Sequence, residues 1–279
     1  MPHPTPWLEF EALVDLLRDR QAVVLSGAGV STESGIPDYR GPNTRDKERE
    51  PIRHDAFVGD AGKRQHYWAR SAIGWPSFRE AVPNAGHRAL ARLEEAGHIR
   101  GIITQNVDRL HQKAGSSRVV ELHGALADVR CLSCRQTVSR EAVQDALLDA
   151  NPGWTDRAAA VAPDGDADLP RSVTRDFSVP ACPACDGVLK PDVVFFGGRV
   201  PAERVDAAWS LLGEADALLV TGSSLTVYSG YRFVRHAAET DRPVGIVNLG
   251  NTRGDDLAQV HVEGKTGAVL PALSDALGG

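Results

Sequence analysis

The chain has 279 residues, 42% hydrophobic and 24% charged, enough for one large domain or a domain with a smaller lobe. A formal net charge of -6 argues against a surface that attracts nucleic acid or an anionic membrane, and the one basic run, residues 45–53, is interleaved with acids. No apolar stretch is long enough to span a bilayer, and MPHPTP at the N-terminus lacks a signal or presequence pattern, so a cytoplasmic protein is expected.

Residues 9–20 have helical spacing, with Phe10, Leu13, Val14, Leu16 and Leu17 apolar. Residues 22–25 read as a buried strand that runs into GAGVSTESGIPDYRG, residues 27–41. Gly27, Ala28 and Gly29 leave room for a phosphate to approach backbone N–H groups, but Thr32 stands where the dinucleotide fingerprint G-x-G-x-x-G has its third glycine. Residues 43–62 are charged and irregular, 65–75 helical and aromatic, and 84–96 a helix with Ala85, Ala89, Leu90 and Leu93 on one side and Gly97 as its stop. Apolar strands follow at 101–104, 118–122, 192–196, 217–221 and 244–248, with helical patterns at 202–215 and 230–239.

Strand and helix alternating at this rhythm predict an α/β fold: a Rossmann-like, doubly wound, mostly parallel sheet with helices on both faces. Ligands of such folds bind beyond the carboxyl ends of the strands. Those ends carry Gly27-Ala28-Gly29, Gln105-Asn106-Val107-Asp108, His123-Gly124, Gly197-Gly198, Gly222-Ser223-Ser224 and Asn248-Leu249-Gly250. Six small or polar clusters point to one shared ligand site.

Residues 125–188 break the rhythm and are expected to form an inserted lobe, with the Pro/Asp/Gly-rich segment 162–170 as an exposed loop. All four cysteines fall here in two CxxC pairs, Cys131/Cys134 and Cys182/Cys185. Four thiolates suit one structural Zn²⁺ with no position left for water. Two redox CxxC motifs are the alternative, and a zinc-ribbon nucleic-acid module is disfavoured by the acidic balance. The expected organisation is a single domain over 1–279. Its large lobe takes about 8–41, 84–124 and 189–279, and its small lobe a helical module (42–83) and a zinc module (125–188).

GIPDYR, TQNVDRLH, ELHG, the paired CxxC, GSS and NLG, in this order and spacing, resemble the sirtuin family over about residues 8–273. YWARSAIGWPSF, APDGDADLP, KPDVVFFG and VYSGYRF look most like its class II branch. The resemblance implies an NAD-dependent protein lysine deacylase, with acylated-lysine proteins or peptides as partners and NAD consumed rather than reduced. The acyl oxygen would displace nicotinamide from the ribose, and a histidine base would then activate a ribose hydroxyl, leaving the acyl group on ADP-ribose. A monomer is expected.

The resemblance also implies roles. His123 would be the general base, for which an imidazole titrating near neutrality is suited. Asn106 would serve the reacting ribose and its water, Asp108 the nicotinamide carboxamide, and Gln105 a ribose hydroxyl. In the NAD loop, Ser31, Thr32, Ile36, Pro37 and Asp38 would join the glycines, and Arg40 would neutralise the diphosphate. Tyr39 departs from the usual Phe. Ser223 and Ser224 would donate to phosphate or ribose, Asn248, Leu249 and Gly250 would frame the adenosine, and Thr266 would lie near the adenine. The peptide would add as a strand between walls that include Val193, Val194, Phe195, Phe196 and Gly197 on one side and Gly222, Leu225 and Val227 on the other. Tyr67 and Arg70, three apart on a helix, resemble a pair that holds acidic acyl groups in another branch; plain helix packing explains them equally well. Acyl groups beyond acetyl are therefore expected substrates. Rival readings are a protein mono-ADP-ribosyltransferase on the same NAD site, a non-catalytic NAD or ADP-ribose binding module, and a hydride-transferring dehydrogenase.

Overall fold

The computed structural model describes residues 6–38, 51–156, 166–167 and 169–278. In chain order its regular elements are α1 (Pro6–Arg18), β1 (Ala22–Ser26), α2 (His54–Gly59), α3 (Ala61–Glu80), α4 (Ala85–Glu95), β2 (Ile99–Thr104), α5 (Leu110–Lys113), β3 (Val119–Glu121) and β4 (Gly124–Cys131). They continue with β5 (Thr137–Ser139), α6 (Arg140–Ala150), β6 (Leu189–Val193), α7 (Ala202–Gly213), β7 (Ala217–Thr221), α8 (Tyr228–Glu239), β8 (Val244–Asn248), β9 (Val260–Glu263) and α9 (Thr266–Leu277). They form two compact units. The described parts of Met1–Asp46, Val82–Leu122 and Val200–Gly279 make the first, and those of Lys47–Ala81 and His123–Arg199 the second.

The first unit is built on a parallel six-stranded sheet in the order β3-β2-β1-β7-β8-β9. Every residue of β1, β7 and β8 is buried, as strands covered on both faces require. Side chains alternate. Ala22 and Val24 of β1 join Leu13, Leu17, Leu90, Leu93, Leu270 and Leu273 from α1, α4 and α9. Val23 and Leu25 join Leu211, Leu212, Phe233 and Val234 from α7 and α8 in a second core. The helix expected at 84–96 forms because Asn84 caps it, its side chain accepting the N–H groups of Gly86 and His87 while the His87 ring accepts the Asn84 N–H.

The second unit carries an antiparallel sheet in the order β5-β4-β6. Here the structure differs from the sequence expectation of a parallel-sheet strand at 192–196. The strand is Leu189–Val193, and it pairs antiparallel with β4. Pro191 has no N–H to donate and is tolerated because β6 is an edge strand. The helix expected at 65–75 also runs further. Asp60 starts it by accepting from Gly62 and Lys63, and it passes through Pro76 to Glu80. The described part of the region read as irregular contains the short helix α2. Trp68 is fully buried, and it and Trp75 flank the Arg140 guanidinium at 5.4 and 5.0 Å. No described helix is long and apolar enough to cross a membrane.

Candidate functional site

In the first unit the loop after β1 folds into two single 3₁₀ turns, Ala28–Val30 and Thr32–Ser34. It packs against the turn after β7. The Gly27 N–H donates to Thr221 O (3.0 Å) and the Gly29 N–H to Gly222 O (2.8 Å). The glycines thus serve a backbone-to-backbone approach, and these two N–H groups are engaged with protein carbonyls instead of being presented to a phosphate. Gly222 has φ +57°, and a Cβ there would lie 2.4 Å from the Val30 nitrogen.

The end of β2 closes onto the same loop. Asn106 and Asp108 are 9% and 8% exposed. The Asn106 amide donates to Gly27 O (3.1 Å) and Ser31 Oγ (3.0 Å), and Ser31 Oγ donates to Asp108 Oδ2 (2.7 Å). Asp108 Oδ1 accepts the Leu110 N–H at 2.9 Å. Burial raises the Asp108 carboxyl above its ordinary range, and the Leu110 and Ser31 hydrogen bonds oppose that rise. Gln105 donates to Ser223 Oγ (2.9 Å), and Thr266 Oγ1 reaches Gly29 O at 3.4 Å.

Other expected contacts sit beside this cluster. Ser224 Oγ meets Thr226 Oγ1 at 3.0 Å, and Asn248 turns its amide onto Gly250 O (2.8 Å), leaving Leu249 half exposed. Thr32 Oγ1 donates back to Gly29 O, and the Ile36 N–H to Ser31 O. Pro37 and Asp38 are half-buried. Leu225 is buried with φ +56°, and Val227 precedes α8. Tyr39 and Arg40 lie outside the described residues, as do 43–50 and most of the 162–170 loop. Sequence reading missed Ser26, His87, Thr104 and His111, which lie behind Asn106. His111 lies within TQNVDRLH and His87 within the helical pattern 84–96, and no local spacing marks either as part of the site.

In the second unit, half-buried His123 precedes Gly124, whose φ of +80° turns the chain into β4. Its carbonyl accepts the Val194 N–H at 2.9 Å. Val193 and Phe195 point inward, and Phe195 packs on Phe57 and Tyr67 with ring centroids 5.2 and 5.3 Å away. Phe196 is exposed, and its carbonyl accepts the His54 N–H. Gly197 has φ +78°. Tyr67 is only 3% exposed, in an aromatic cluster with Phe57, Trp68 and Phe195. Arg70 donates to Ala167 O (2.7 Å) and faces Asp166 at 3.8 Å. The pair is thus built into the packing of this unit.

The four cysteine Sγ atoms all lie within 4.8 Å of one another, with no disulfide. Cys131–Cys185 and Cys134–Cys182 are 3.5 and 3.8 Å apart. A tetrahedron with Zn–S bonds of about 2.3 Å needs sulfurs about 3.8 Å apart, so the cluster fits Zn²⁺. Each pair sits in a tight turn followed by a left-handed residue, Arg135 (φ +65°) or Asp186 (φ +56°). The Cys131 thiol is drawn down to about 6, chiefly by the Cys134 N–H, while the Cys185 thiol beside it is pushed up to about 12.

A model of the Sir2 family matches residues 27–229. The chain belongs to the Sir2 family. An NAD-dependent protein deacetylase of Xanthomonas campestris is 54% identical over 256 residues, 92% of this chain and 87% of that one. The NAD-dependent protein deacylase Sirt4 of Drosophila melanogaster is 45% identical over 281 residues, 99% of this chain and 90% of that one. A solved Sir2 structure with a p53 peptide and NAD⁺ superposes with a TM-score of 0.77 at 31% identity, covering 95% of this Sir2 chain and 97% of its own.

Proposed function

We propose that this Sir2 protein is an NAD-dependent protein lysine deacylase: acyl-lysine, NAD and water become free lysine, nicotinamide and O-acyl-ADP-ribose. The observation that carries the reading is the buried Gly27–Ser31–Asn106–Asp108 cluster at the strand ends of a chain whose relatives bear that activity in their names. An amide, a carboxylate and hydroxyls converging there suit a dinucleotide. NAD supplies a glycosidic bond whose cleavage releases nicotinamide. Asp108 keeps a lone pair on each carboxylate oxygen and would accept from the nicotinamide carboxamide. Asn106 would hold the reacting ribose, with Gln105 and Ser223 beside it. His123 would take the proton from a ribose hydroxyl, and Gly124, which follows it, adds no side-chain bulk. The four cysteines would hold one Zn²⁺ that organises the second unit and takes no part in the reaction.

Three finer readings belong to the proposal. The segments YWARSAIGWPSF, APDGDADLP, KPDVVFFG and VYSGYRF support the class II branch. The deacylase name of the Drosophila relative supports an acyl range beyond acetyl. Val193–Gly197 and Gly222–Val227 would line the peptide, with weak sequence selectivity because backbone hydrogen bonds dominate that mode of binding. Incubation with NAD and acetyl-, glutaryl- and lipoyl-lysine peptides, read by mass spectrometry, tests all of this. Nicotinamide and free lysine should form and fall by about 10²-fold or more in His123→Ala. NADH formation, or no nicotinamide from any peptide, would refute the deacylase reading; acetyl preferred over every other acyl group would refute the wider range. An Arg70→Ala change that leaves the order of acyl preference untouched would remove Tyr67 and Arg70 from the acyl site.

A further inference from the structure

Two buried histidines in the first unit have no task in the reading above. His87, in the first turn of α4, and His111, in α5, are 0% and 1% exposed, and their ring centroids lie 4.9 Å apart. Their tautomers follow from their neighbours. His87 Nδ1 accepts the Asn84 N–H (3.3 Å), so its proton is on Nε2, which faces Ser31 Oγ at 3.5 Å. His111 Nε2 lies 2.8 Å from Ser26 Oγ, whose own proton goes to Thr104 Oγ1 (2.8 Å), so His111 is the donor there. Its Nδ1 is buried and has no hydrogen-bond partner among the described residues.

Each imidazole starts a hydrogen-bond chain that ends on segment 106–108. One passes through Ser31, which receives both His87 Nε2–H and the Asn106 amide. With two donors aimed at it, the Ser31 hydroxyl has one direction left for its proton, toward Asp108 Oδ2. The other passes through Ser26 to Thr104 Oγ1, which accepts the Asn106 backbone N–H at 3.1 Å. Burial holds both rings neutral: His87 is pushed down to about 4, with Arg88 adding to the effect, and His111 to about 3, with His87 adding. The other charge facing Asp108 is Lys113 of α5. A proton on His87 Nδ1 would point at the Asn84 N–H and remove that half of the α4 cap, leaving the two bonds to Asn84 Oδ1.

We propose that His87 and His111 are positioning residues: as neutral, Nε2-protonated imidazoles they fix, through Ser31 and through Ser26 and Thr104, the orientation of Asn106 and Asp108 toward NAD. The proposal rests on the reading of Asn106 and Asp108 as NAD-facing groups. A small misorientation there costs rate without loss of the fold.

The test compares His87→Phe and His111→Phe with His87→Gln and His111→Gln, since a glutamine amide N–H reaches about where Nε2–H was. Calorimetry gives the Kd for NAD, nicotinamide release gives kcat and KM separately, and thermal unfolding gives Tm. The Phe variants should lose about tenfold or more in kcat/KM for NAD well below Tm, with a weaker Kd, and the Gln variants should recover to within about threefold of wild type. Should the Phe variants not fold, Ser26→Ala carries the test and should lower kcat/KM by about threefold or more. A lowered Tm with wild-type Kd, kcat and KM, or Gln variants no better than Phe, would overturn the proposal. Wild-type protein that binds NAD but releases no nicotinamide would instead sink the deacylase reading, leaving the positioning role to be decided by Kd alone.

Discussion

The two units hold their functional loops by different means. In the first, the Gly27–Asp38 loop rests on strands buried along their whole length, with an apolar core on each face and hydrogen bonds from β2 and the turn after β7. In the second, a three-stranded sheet with a largely exposed β5 ends in two left-handed cysteine turns, two of whose thiols are exposed. A six-stranded sheet supplies enough buried area to fix a loop; a three-stranded one gains less, and its four clustered thiols suit a metal staple instead.

Removing the metal should therefore produce the largest effect and strike one unit. Structural Zn²⁺ in small modules contributes on the order of 10–16 kcal/mol of binding energy that is also folding energy. Elemental analysis should find one zinc per chain. Chelation, or Cys134→Ser, should abolish turnover and the melting transition of the second unit while a calorimetric transition of the first persists. A single transition in which the whole chain unfolds together would break the comparison.

Acid should do the reverse, acting on the first unit through its histidines. The folded-state values of His87 (about 4) and His111 (about 3) lie below the ordinary value of 6.5. Between these limits the unfolded chain binds more protons than the folded one, so stability falls as pH falls. It is complete above about pH 6.5 and is lost progressively toward pH 4 and 3, by up to about 1.4 kcal/mol per pH unit for each histidine. Zinc leaves its thiolates over the same range, so the informative quantity is the slope of the first unit's Tm against pH in wild type and in a His87→Gln/His111→Gln double variant. The variant should show the flatter slope; equal slopes would mean that the pair does not set acid stability.

The same contrast governs what could be read from the sequence. The parallel sheet was legible because a strand buried on both faces is written as an uninterrupted apolar run, as at Val23-Val24-Leu25 and Leu218-Leu219-Val220. The metal cluster was legible because two CxxC pairs specify their own geometry. Segment 189–196 misled because Val193-Val194-Phe195-Phe196 has the apolar content of a central strand, whereas Pro191 and the pairing partner β4 make the strand an antiparallel edge. His87 and His111 stayed hidden for another reason: their role comes from hydrogen bonds to Ser26 and Ser31, more than fifty residues away in the chain, and no local pattern announces such a pairing. Gly29 reads in the sequence as room for a phosphate to approach, and in the fold its N–H donates to Gly222 O, a pairing no local pattern encodes.

The close approach of Gly29 and Gly222 can be tested directly, with the smallest expected effect of the three. A Cβ on Gly222 would lie 2.4 Å from the Val30 nitrogen and 2.7 Å from the Gly29 carbonyl carbon, at a φ of +57°. Gly35 has a comparable φ of +83° but nothing within 4 Å of the added atom. Gly35→Ala thus meets conformational strain alone, on the order of 1 kcal/mol, whereas Gly222→Ala meets strain and a collision with backbone, about 3 kcal/mol or more. Denaturant unfolding gives both costs. If the two substitutions cost the same, the glycine at the end of β7 is there for its dihedral angles alone. If Gly222→Ala costs more and also weakens NAD binding, the close approach of the two loops is what shapes the nucleotide site, because the Gly27–Ser31 segment, whose Gly27 O and Ser31 Oγ hydrogen-bond Asn106 and Asp108, can keep its position only while Gly29 and Gly222 remain in backbone contact.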